Sequence, residues 1–155
     1  MEKETILKNF LKDFEFYNEY EPVDIYKIIK NNWIKIIKNH FWKNEIFWTR
    51  GIPFWIDIIY VKNNLSEKEE RFILAHEFCH FLLNEKSFNM WILKVKSEEE
   101  IRADNFACDL LLPDEAVKNA YLKYENIPTL SDIFWVPESV VEYKLNKLFK
   151  NYNFY

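Results

Sequence analysis

A single glycine, Gly51, serves a chain of 155 residues, so turns must lean on Asn, Asp, Ser and Pro. Cysteine is scarce too: Cys79 and Cys108 give no disulfide framework. Basic charge is in deficit. Twenty-one Lys and Arg stand against 25 Asp and Glu, for a net charge of −4, so the chain as a whole lacks the basic footprint of a nucleic-acid binder. No apolar run approaches the ~20 residues of a membrane span. The nearest, Phe54 to Val61, is interrupted by Asp57. The opening Met1-Glu2-Lys3-Glu4-Thr5 carries neither the charged nor the apolar region of a signal peptide. The expectation is a reduced, cytoplasmic protein with no membrane partner and no direct nucleic-acid binding.

What is present is the material of one globular domain. Hydrophobic residues make up 49% and charged residues 30%, and 19% are aromatic, including six Trp, which points to a core built on large rings. A chain this long buries roughly 68–70% of its unfolded surface and needs no covalent staples. Apolar spacing of three and four predicts a helix over 2–20, on Ile6, Phe10, Phe14 and Tyr17, and a short one from Val23 to Ile29. Three strands are predicted: Trp33 to Lys38, Ile46 to Thr49 and Trp55 to Val61. A turn at Gly51-Ile52-Pro53 separates the last two.

Two capping boxes of the form S-x-x-E follow. Ser66-Glu67-Lys68-Glu69 opens a helix to about Asn84, and Ser97-Glu98-Glu99-Glu100 opens another that ends near Pro113. A short strand is expected around Trp91–Val95. Helices are expected over 114–124 and as a pair at Thr129–Trp135 and Pro137–Lys150. That pair has helix-turn-helix spacing and carries Lys144, Lys147 and Lys150. Glu138 and Glu142 at its second start, and the acidic chain, assign it to packing instead.

The first capped helix contains His76-Glu77-Phe78-Cys79-His80, an H-E-x-x-H motif. Residues four apart leave a helix on one face, so both imidazoles can reach one zinc ion. Glu77, rotated by about 100°, can serve as the base that takes a proton from water attacking a carbonyl. A catalytic zinc needs a third protein ligand and one open position. Glu100, in the first turn of the next capped helix, is the leading choice, with Asp104 one turn on to accept the free N–H of a ligating histidine. Glu98 and Glu99 compete with it, and Glu100 is also position N3 of the box and can be only a cap. Two His and one carboxylate also admit Mn or Fe.

The segment Phe72-Ile73-Leu74-Ala75-His76-Glu77-Phe78-Cys79-His80-Phe81-Leu82-Leu83 resembles the active-site helix of the ImmA/IrrE family of metallopeptidases. Glu100 to Pro113 resembles that family's second signature, E-x-x-A-[ND]-x-F-A-x-x-L-L-x-P. The resemblance covers roughly 22–145. It implies an α+β fold, with a small mixed sheet packed against helices, like a thermolysin-type minimal zincin. Within one domain of 1–155, it suggests an amino-terminal helix over 1–21, a zincin core over 22–113 and carboxy-terminal helices over 114–155. It implies one zinc ion on His76, His80 and Glu100, with Glu77 as catalytic base. Cys79 replaces a usual glycine. A redox or ligand role is conceivable for its thiol, against a buried inert one. His40 and Tyr60 are open choices for stabilising an oxyanion.

The same resemblance implies a protein substrate. It would be a helix-turn-helix repressor, cut at one site to release genes of a mobile element, prophage or stress response. Trp55–Val61 is the expected strand near the cleft, where a zincin can hold an extended peptide by edge pairing. The alternatives are a non-enzymatic antirepressor or toxin–antitoxin partner using the same fold, and a metal-dependent hydrolase of a small molecule.

Overall fold

The computed structural model describes residues 3–12, 21–39, 47–50, 56–85 and 97–149. Among them, the amino-terminal part holds a small sheet and three helices: α1 (Lys3–Lys12), α2 (Ile25–Asn31) and α3 (Glu67–Leu82). The strands are β1 (Lys35–Asn39), β2 (Phe47–Arg50) and β3 (Asp57–Lys62). Four helices complete the chain: α4 (Glu98–Leu111), α5 (Asp114–Tyr124), α6 (Ile127–Phe134) and α7 (Glu138–Leu148). This is the expected mixed α+β architecture, dominated by helices. Phe14, Tyr17, His40, the turn at 51–53 and the strand at 91–95 lie outside the described residues. No helix among the described residues is long and apolar enough to cross a membrane.

The strand order is β1-β3-β2, with β1 parallel and β2 antiparallel to β3. β3 is thus the central strand, paired on both sides. Its backbone groups are committed to these two neighbours, so an extended peptide would pair with an outer strand and not with β3 itself. Ile59 and Val61 of β3 enter the core while Ile58, Tyr60 and Lys62, alternating with them, stay half-buried, the period of two that a covered sheet face demands.

α3 is the hub, packing against α4, α2 and α1 and running beside β2 and β3. Small residues, Ala75 on α3 and Ala103 and Ala107 on α4, are fully buried where these helices belong to one core. Phe78 fills the space to α1, with its ring centroid 5.3 Å from that of Phe10, and Phe10 lies 5.9 Å from Phe106 of α4. Arg71 is buried and donates to three carbonyls: Val23 at 2.6 Å, Phe134 at 3.2 Å and Trp135 at 3.0 Å. The segment before α2 and the α6–α7 corner are thereby tied to the same turn of α3.

The shortage of glycine shows at the helix ends. Trp33, Asn84, Glu125 and Trp135 take positive φ, between 47° and 60°, which costs a side-chain-bearing residue roughly 1–2 kcal/mol. Two of these ends are Schellman turns. After α2, Trp33 donates to Lys30 and Ile34 to Ile29, which is why β1 begins at Lys35 rather than at Trp33. After α3, Asn84 donates to the Phe81 carbonyl at 3.0 Å and Glu85 to that of His80 at 2.9 Å.

At the carboxy-terminal end, α6 starts at Ile127, two residues before the expected Thr129. Asn126 caps it, accepting from the Thr129 N–H at 2.9 Å. Pro113 and Pro137 each stand immediately before a helix. Lys144 is wholly buried, its Nζ 2.7 Å from Asp109 and 2.5 Å from Asp114. Lys147 also pairs with Asp109, at 3.0 Å. Two of the three lysines counted on this pair are therefore engaged with carboxylates of α4 and α5.

Candidate metal centre

α3 forms because Ser66 accepts from the Glu69 N–H while Glu69 returns a bond to the Ser66 N–H at 2.8 Å. From that start the helix delivers His76 and His80 one turn apart to the seam with α4. Their Nε2 atoms lie 3.2 Å from each other. His76 Nε2 is 3.2 Å from Glu100 Oε2, and His80 Nε2 is 3.4 Å from Glu100 Oε1. One ligand atom from each of the three residues falls within a 4.8 Å span. Glu98 and Glu99 point to solvent, and only Glu100 of the three acidic neighbours turns to the histidines.

The Glu100 backbone and carboxylate part ways here. Ser97 accepts the Glu100 N–H at 3.3 Å, as a cap should. The reciprocal bond is not made, because the carboxylate faces the two imidazoles instead. The second box is therefore half realised.

The donor set fits a divalent cation. Ligands ~2.0–2.1 Å from a tetrahedral ion lie about 3.3 Å apart along each edge, the separation found among these three residues. The tautomers agree as well. His76 Nδ1 lies 2.9 Å from Asp104 Oδ1, so in the neutral ring that nitrogen carries the proton and Nε2 presents its lone pair to the cluster. Two nitrogens and a carboxylate with little solvent around them suit Zn²⁺ well and Mn²⁺ or Fe²⁺ less closely. His80 is 1% exposed, His76 14% and Glu100 24%, so the cluster opens on its Glu100 side.

The electrostatics follow from this crowding. Burial pulls the His76 imidazole down, but the hydrogen bonds to Asp104 and Glu100 outweigh it and raise the group to about 9. The hydrogen bonds from His76 and His80 hold Glu100 well below the usual carboxylate range. Glu77 is buried and near enough for its charge to help raise His76. Burial pushes the Cys79 thiol up to about 12 and that of Cys108 to about 11, leaving both as inert core thiols. Tyr60 is half-buried on β3.

Sequence reasoning passes over Glu85. Its carboxylate is buried beneath the cluster, accepting from Lys3 Nζ at 2.5 Å and from Arg102 Nη1 at 2.7 Å. Its other oxygen lies 3.6 Å from His80 Nδ1. Beside the cluster, an open groove of about 380 Å³ runs between α3, α4 and α7. Phe72, Ile101, Val140 and Tyr143 line it, with Asp104 shared between groove and cluster.

A mixed sheet against helices, with an H-E-x-x-H helix facing a carboxylate on the next helix, defines a metallopeptidase-like domain. The model of the IrrE N-terminal-like domain family, Peptidase_M78, matches residues 37–146, and the chain belongs to that family. The match runs from within β1 to within α7, leaving α1 and α2 outside it. No curated protein matches the chain.

Proposed function

We propose that this protein is a zinc-dependent endopeptidase that cuts a helix-turn-helix repressor at one site, in the cytoplasm, and so releases genes of a mobile element, prophage or stress response. The observation that carries the reading is the convergence of His76, His80 and Glu100 within 4.8 Å beside a buried Glu77. Family membership supports the peptidase class. The two unpaired cysteines suit a reducing compartment.

His76 and His80 would hold the ion through Nε2, and Glu100 through its carboxylate. A divalent ion bound there supplies Lewis acidity toward a peptide carbonyl and toward water. Glu77 takes the proton of the attacking water and passes it to the departing amide nitrogen, a transfer its position inside the motif permits. Asp104 keeps the His76 proton on Nδ1 throughout.

The test is cleavage of helix-turn-helix repressors, including any encoded beside this gene, by zinc-loaded wild type and by Glu77→Gln. Removing a positioned base is expected to cost about 10²–10⁴-fold in rate while metal content stays the same. Full zinc occupancy with an intact repressor, and release of the genes unchanged by Glu77→Gln, would instead identify a binding antirepressor. Turnover of small amides with peptides left untouched would identify a small-molecule hydrolase.

A further inference from the structure

We propose that Glu85 is a positioning residue for His80, fixing its ring and tautomer from behind as Asp104 does for His76. The inference rests on the reading of His76, His80 and Glu100 as the metal ligands, and extends it to a residue outside both sequence signatures.

Four observations meet here. The Schellman turn after α3 sets the Glu85 backbone against His80 itself, through the 2.9 Å bond from the Glu85 N–H to the His80 carbonyl. Lys3 and Arg102 both donate to Glu85 Oε1, which fixes the orientation of the carboxylate. The remaining oxygen, Oε2, faces His80 Nδ1 at 3.6 Å. Both of those atoms are buried and have no other hydrogen-bond partner among the described residues.

A buried carboxylate oxygen and a buried ring nitrogen that face only each other are costly unless one donates to the other. The carboxylate can only accept. The proton therefore belongs on His80 Nδ1, and Nε2 is left with a lone pair directed at His76 and Glu100. A merely structural Glu85 would need only the bonds to Lys3 and Arg102. The face turned to His80 is what assigns it to the metal centre. Because Lys3 lies in α1, this helix outside the family match also helps to hold a ligand of that centre.

Glutamine at this position separates the two roles. Its amide oxygen would stay with Lys3 and Arg102, which only donate, and its NH₂ would then face His80 Nδ1. That forces the proton to Nε2, where it blocks the metal. The experiment is titration of the full chain with Co²⁺ and Zn²⁺ against a competing chelator, for wild type, Glu85→Gln and Asp104→Asn. Unfolding of the metal-free proteins is followed in parallel. Glu85→Gln is expected to weaken metal binding by about 10–100-fold, to a degree similar to Asp104→Asn, and to alter the Co²⁺ absorption spectrum. An unchanged affinity and spectrum, with only a lowered melting temperature, would overturn the proposal. No metal binding by wild type would overturn the underlying reading of the ligands instead. Should Glu85→Gln not fold, ring-nitrogen NMR of zinc-loaded wild type decides. A His80 Nδ1 proton that is downfield and slow to exchange supports the assignment, and one that exchanges as freely as in aqueous imidazole refutes it.

Discussion

Two helices of this protein begin with the same local instruction and use it differently. Ser66 and Glu69 close a full reciprocal box at the exposed start of α3. Ser97 and Glu100 close half of one at the start of α4, because the Glu100 carboxylate is drawn to His76 and His80. The serine bond to the backbone is common to both. Only the carboxylate is free to choose between its own helix end and a partner elsewhere, and two imidazoles on a neighbouring helix outcompete one N–H. A cap motif thus specifies where a helix begins without specifying where its glutamate goes.

The most forceful way to break this comparison is to neutralise the two glutamates in turn. Glu100→Gln is expected to lower zinc affinity by more than the 10–100-fold typical of an outer partner of a metal ligand, whereas Glu69→Gln leaves it unchanged. Chelator competition measures both. Equal effects would mean that the two carboxylates do not differ in kind.

The pH dependence of the metal-free protein sharpens the same contrast. His76 titrates at about 9 in the fold against an ordinary 6.5. A raised value stabilises the fold fully below about pH 6.5, and that contribution is lost as pH rises through about 9. Thermal unfolding should therefore weaken across this window by up to about 3 kcal/mol, and His76→Asn should flatten the profile. The lowering of Glu100 belongs to the same set of contacts and adds nothing separate. Glu69 acts on the other side: its carboxyl is lowered by its bonds to Ser66, so its contribution is present at neutral pH and lost as pH falls into the acid range.

The smallest effect concerns the serines. Ser66→Ala and Ser97→Ala each remove an N-cap, at about 1 kcal/mol, and Ser66→Ala should cost the more because it also strands the returning Glu69 arm. Denaturant unfolding of the pair would show the order, and a larger loss at Ser97 would reverse the assignment of the complete box.

Much of the centre was legible in the linear sequence because it lies on two helices, where spacing is geometry. His76 and His80 are one turn apart, and so are Glu100 and Asp104, and the structure brings the two pairs to one seam. Glu85 was illegible because it lies beyond the end of α3. Its position depends on Asn84 adopting positive φ, which no glycine announces. The sheet order was hidden for a related reason. A run such as Asp57–Lys62 signals a strand but not its neighbours, and only the fold makes it central. Lys144 shows the limit of charge counting. It reads as part of a basic helix face, yet it is buried between Asp109 and Asp114, where removing one carboxylate would leave the buried ammonium with a single ionic partner.

Arg71 carries a consequence of its own. A planar guanidinium grips three carbonyls drawn from the early and late parts of the chain, one and a half turns before His76 on the same helix. It acts as a clasp that closes the polypeptide into a loop around α3, so the helix that carries His76 and His80 is referenced to both flanks at once. Lysine, with a single ammonium on a flexible stem, cannot span all three, and the clasp would open even though the charge is kept.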